Sequence, residues 1–214
     1  QESRGLGDVY KRQALYNIVD SFFVGKYSET GLTALSIIYP VQLLMIALGV
    51  GTGVGINTDM AYYLGIGKKK KAEEVAGTGT PLGLILWIIF AAVCYVTLPA
   101  YAGMSTDSPE VIRDVVAYGR IVCLFSIGLF TEGIWSKILQ AEGDMRTPMI
   151  AQIAGAVVNI ILDPLLIFGM LGMPEMGISG AAVATVSGQI VAALIVMKKA
   201  WYRSPRRSCY PGHI

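Results

Sequence analysis

Residues 81–101 read PLGLILWIIFAAVCYVTLPAY, without one charged side chain. A helix of that length rises about 30 Å, the thickness of a bilayer's hydrocarbon core. Outward from this run, four more apolar stretches of spanning length follow the same rule. They cover about 32–58, 115–139, 148–170 and 178–197, with short polar loops between them. A sixth, Ala14 to about Val24, is short and reads as the second half of a helix. Soluble cores rarely need so many such runs in succession. The pattern predicts an all-α integral membrane protein: a six-helix transmembrane bundle whose first helix is partial.

Composition agrees. Of 214 residues, 15% are charged and 54% are hydrophobic, against about 25% charged in soluble domains. The formal net charge of +2 leaves no basic surface for a nucleic-acid partner. Cys94, Cys123 and Cys209 lack metal-ligand spacing, and His213 is the one histidine, so no metal centre is expected. Gly67-Lys68 is no phosphate loop, because Lys69 follows it and Tyr62 stands where glycine is required. No Ser/His/Asp set is present, which argues against a membrane enzyme.

The chain starts at Gln1 rather than Met, so a fragment is expected. Residues 8–13, DVYKRQ, look like the translated end of a transposase sequencing adapter, so 1–13 is set apart as a scar or a disordered start. Residues 201–214 form a basic tail, either a natural linker or an out-of-frame read. The membrane lobe is 14–200.

Alternate loops carry Lys68–Lys71, Lys137, Arg146, Lys198 and Lys199, eight cations in all. The opposite loops carry Lys26 and Arg113. The bias places the Lys68 loop in the cytoplasm. Glycines 49, 51, 53 and 55, and the series Gly180, Ala184, Gly188, read mainly as surfaces for close helix packing.

Polar groups inside spans each need a reason. Asp20, Tyr118, Asn159, Asp163 and Thr185 all fall in the outer half of the predicted bilayer, on four helices. Asn159 and Asp163 share one helical face, and Gln152 continues that stripe. Gln189 shares the face of Thr185. Such oxygens suit a cation or proton site: hard cations take carboxylate, amide and hydroxyl ligands, and a desolvated aspartate pair favours holding one proton. Pro164 removes a donor from the fifth run and predicts a bend there. Glu132 lies nearer the inside. An unbroken helix would put it within about 40° of Tyr118, where it could bind substrate or relay a proton, or pair with Arg120 or Lys137. Asp59 reads as interfacial.

Three stretches resemble the N-terminal half of the multidrug and toxic compound extrusion (MATE) family: ALYNIVDSFFVGKY at 14–27, ILQAEGDMRTPM at 138–149 and GAVVNIILDPLLIFG at 155–169. GISGAAVATVSGQ at 177–189 adds to the likeness. The resemblance implies one lobe of a twelve-helix transporter, with the C-terminal lobe missing. It implies export of drugs or toxic, often cationic, organic compounds across the plasma (inner) membrane, in exchange for H⁺ or Na⁺. It implies no other cofactor, and it maps the family's N-lobe cation site onto Asp20, Tyr118, Asn159, Asp163 and Thr185. This fragment alone is expected to be inactive. The chain departs from the family's pattern at NTDMAYY (57–63), where many members carry Ser-Arg, and at Gly133 and Ser136, where many carry Asn. The alternative is a flippase for lipid-linked oligosaccharide or polysaccharide, but such a cleft needs several cations and only Arg120 is deep.

Overall fold

The computed structural model describes residues 20–203. The expected adapter stretch and residues 204–214 lie outside the described residues. Helix α1 is described over 20–27, followed by α2 (Glu29–Gly65), α3 (Lys69–Ser105), α4 (Pro109–Leu124), α5 (Ile127–Ala141), α6 (Arg146–Ile167) and α7 (Ile178–Arg203). A short 3₁₀ turn at Met170–Gly172 lies between the last two, and no strand occurs among the described residues. The chain is a multi-pass membrane protein. Four helices are long and apolar enough to cross a bilayer, and α4 with α5 makes a fifth, bent span.

Local chemistry sets the boundaries. Ser28 caps α2, its hydroxyl accepting the Gly31 N–H at 3.2 Å. Gly67, with φ of 74°, makes the tight turn into α3. α3 starts at Lys69 rather than Pro81, because Lys, Ala and Glu propagate a helix well outside the apolar run. Hydropathy sees only the embedded part. α6 runs through Pro164 to Ile167, and α7 continues to Arg203, into the predicted tail.

The predicted fourth run is two helices, bent by 43° at Phe125–Ser126. Two side chains satisfy carbonyls at the break. Ser126 Oγ donates to the Cys123 carbonyl at 2.8 Å, and the Trp87 indole donates to that of Leu124 at 3.2 Å. Lys137, expected in a loop, belongs to α5.

Small residues let the helices close. A Cβ at Gly180 would lie 2.6 Å from the Leu166 carbonyl oxygen, and one at Gly188 2.6 Å from that of Gly155. α7 therefore lies backbone to backbone on α6. Gly53 meets Gly133 in the same way, at 2.8 Å, joining α2 to α5. Gly51 and Gly55 meet nothing within 4 Å, so packing does not account for them.

The outside of the bundle is apolar: Ile88, Ile89, Val93 and Val96 are all exposed. Lipid, not water, is the solvent such a surface fits. One end of the bundle gathers the 27–30, 114 and 168–177 segments. There the Tyr27 ring meets Phe168, and Thr30 donates to Asp114 Oδ2 at 3.2 Å. At the other end Lys69 and Trp201 line one groove, so the Lys68–Lys71 and Lys198–Lys199 clusters lie on the same end.

Candidate cation-binding site

α1, α6 and α7 meet around a polar cluster buried inside the bundle. Asp20, Asn159, Asp163 and Thr185 are all at most 3% exposed. α7 lies close enough on α6 for this because Gly180 and Gly188 carry no side chains. Asn159 and Asp163, one turn apart, then point into the gap beside Thr185.

The Asn159 amide Nδ2 lies 3.2 Å from Asp20 Oδ1, 3.4 Å from Asp163 Oδ1 and 3.5 Å from Thr185 Oγ1. Thr185 in turn donates its hydroxyl to Asp20 Oδ2 at 2.9 Å. One amide thus serves both carboxylates, and among the described residues no lysine or arginine donates in this network. Asn159 Oδ1 and Asp163 Oδ2 are buried without a protein hydrogen-bond partner. Buried oxygens of that kind need a donor or a cation. The donor set (two carboxylates, an amide carbonyl and a hydroxyl) fits a hard monovalent cation such as Na⁺, or a proton held on a carboxylate.

Tyr118, fully buried on α4, places its hydroxyl beside Asp20 and Thr185 and has a further partner outside the cluster. Its hydroxyl accepts from Gln42 Nε2 on α2 at 3.0 Å. Gln42 was not anticipated from the sequence, although a lone amide in the apolar run IIYPVQLLMIALG (37–49) was the available signal.

Glu132 stands apart from this cluster. The α4–α5 bend lies between it and Tyr118. It accepts from Ser136 Oγ at 2.7 Å and from Gln152 Nε2 at 3.2 Å. Gln152 therefore belongs to this second polar group, two turns along α6 from Asn159. Lys137 donates to Gln140 at 3.1 Å, and the Arg120 guanidinium lies 4.9 Å over the Tyr95 ring. Gln189 supplies backbone that α5 approaches at Gly128, while its side-chain Oε1 is buried without a partner. Asp59 is exposed at the lysine-bearing end of α2. No group of three or more metal-ligating His, Cys, Asp or Glu side chains occurs among the described residues.

The chain is similar to several known proteins. The chain is 30% identical over 188 residues to a probable multidrug resistance protein NorM of Thermotoga maritima, covering 86% of this chain and 40% of that protein. It superposes on an outward-facing multidrug resistance MATE family transporter of the MOP superfamily with TM-score 0.82 at 28% identity, over 92% of this chain and 43% of that one. An inward-facing structure of the same description gives TM-score 0.82 at 29% identity, over 91% and 43%. The chain thus spans about two fifths of the length of these relatives. The MatE family model matches residues 12–165. With that match over most of its length, in a bundle that superposes on the N-terminal part of solved relatives, the chain belongs to the MatE family.

Proposed function

We propose that this chain forms the N-terminal lobe of a cation-coupled exporter of small organic compounds, with Asp20, Asn159, Asp163 and Thr185 carrying the coupling H⁺ or Na⁺. One observation carries the reading: two buried carboxylates share a single amide donor, while two further oxygens in the cluster have no protein partner. A cation balances that charge and fills those oxygens. Tyr118, held by Gln42, walls the cluster from α4. Glu132 and Gln152 form a second polar station toward the lysine-bearing end, suited to passing a proton or meeting a cationic substrate.

The lobe superposes equally well on outward- and inward-facing relatives, which supports movement of the lobe as a unit against a second lobe. The transport cleft would lie between the two, so export belongs to the two-lobed protein in the plasma membrane. The flippase alternative fits less well. A pyrophosphate needs several cations, whereas Arg120 lies over Tyr95 and outside the buried cluster.

The test is export of a cationic dye from vesicles containing the two-lobed transporter, under an imposed H⁺ or Na⁺ gradient. One gradient should drive export, and Asp20→Asn and Asp163→Asn should each abolish that dependence while the protein still inserts. Wild-type rates in both variants would overturn the reading and shift attention to Glu132.

A further inference from the structure

The groove at the lysine-bearing end plays no part in the reading above. It encloses about 860 Å³. Its floor is α5 at Gly128, Thr131 and Trp135, its walls are α3 and α7, and Met60 and Leu64 of α2 close one end. Along α3 the lining runs from Lys69 to Leu84, about 22 Å of helix, deeper than the roughly 15 Å of one leaflet's hydrocarbon. The deep part is apolar, with Leu84, Ile134, Ile190 and Leu194.

The mouth is basic. Lys69 lines it, and exposed Lys68, Lys70 and Lys71 adjoin Lys69 in sequence. Trp201, 83% exposed, lines the opposite wall beside exposed Lys198 and Lys199. Of the charged residues, Lys69, Glu73 and Glu142 line the groove itself, and Glu74 adjoins Glu73. Over the surrounding rim the six exposed lysines (Lys68, Lys69, Lys70, Lys71, Lys198 and Lys199) outnumber these three carboxylates. The charge bias makes this the cytoplasmic end, where anionic headgroups attract clustered lysines and tryptophan anchors at the interface. A cationic solute fits such a mouth poorly, and a polar peptide fits such a depth poorly. An acyl chain beneath an anionic headgroup matches both.

We propose that this groove binds one acyl chain of an anionic phospholipid from the cytoplasmic leaflet, its headgroup held by Lys69 and the neighbouring lysines. Trp135 on the groove floor supplies the probe. In the Trp87→Phe, Trp201→Phe background it is the one tryptophan of the chain. The reconstituted chain is titrated with brominated phosphatidylglycerol or brominated phosphatidylcholine in otherwise identical vesicles, and Trp135 fluorescence is followed. Half-quenching should need about fivefold less of the anionic lipid, the preference one surface lysine confers. Replacing Lys68–Lys71 by glutamine should erase the preference. Ala76→Phe, which keeps the lysines and fills the groove, should cut quenching by both lipids. Equal quenching by the two headgroups, or a preference that survives loss of the lysines, would overturn the proposal. So would failure of either lipid to quench, since protein would then cover the groove.

Discussion

The Thr185 hydroxyl donates to Asp20 Oδ2 at 2.9 Å, joining side chains 165 positions apart in the sequence. The contact ties α7 to α1 across the face of α6, and Asn159 completes the junction from α6 itself. Any ion bound there touches three helices at once.

Asp20→Asn should weaken binding of the coupling ion by about 10- to 100-fold, since a charge-assisted contact is worth about 1.5–3 kcal/mol. The side-chain volume is kept, so the amount of inserted protein should stay near wild type. Ion-dependent dye export measured beside membrane expression checks both halves.

Asn159→Ala should behave differently. It removes a neutral ligand, so the ion affinity should fall less than in Asp20→Asn. It also leaves Asp20 Oδ1 and Asp163 Oδ1 without the amide, at a stability cost of about 1–3 kcal/mol. Thermal unfolding in detergent should therefore rank this variant below Asp20→Asn in stability and above it in ion affinity.

Gly188→Leu should push α7 off α6, because its Cβ would start 2.6 Å from the Gly155 carbonyl oxygen. A cost of about 1–3 kcal/mol is expected, with loss of the Thr185–Asp20 contact. Gly51→Ala and Gly55→Ala meet open space and should leave unfolding within about 1 kcal/mol of wild type. Equal effects at all three positions would show that backbone contact is not what selects glycine at 188.

Cysteines placed at Lys70 and Lys199 should react with an impermeant reagent from the same membrane side, and one at Arg113 from the other. Both lysine clusters lie at one end of the bundle, whereas Arg113 sits beside Asp114, which Thr30 meets at the opposite end. Labelling of 70 and 199 from opposite sides would refute the topology.

Much of this was legible in the residues. Spans follow from apolar length, and an aspartate inside a span is conspicuous, so Asp20, Asn159, Asp163 and Thr185 could be grouped by depth before any geometry was known. The structure brings these four together. Tyr118 was grouped with them on depth and on the family resemblance; its hydroxyl adjoins Asp20 and Thr185, and what depth did not reveal is that Gln42 reaches it as well. The α4–α5 bend was not readable, because it depends on Ser126 and on Trp87 of another helix taking the freed carbonyls. No Gly-Pro signal marks it. The extension of α3 back to Lys69 was missed for another reason: residues 69–80 are helix-forming without being apolar.

The central claim is that the Asp20–Asn159–Asp163–Thr185 cluster binds the coupling ion, and ligand-linked stability tests it most directly. An ion that binds the folded state raises the unfolding temperature as its concentration passes the dissociation constant. Unfolding is followed in two titrations, Na⁺ replacing choline at constant ionic strength and H⁺ at constant salt. Wild type should show a saturable rise in the titration of its coupling ion, and Asp20→Asn and Asp163→Asn should each lose it. A wild type indifferent to both ions, or either variant tracking wild type through the rise, would contradict the assignment.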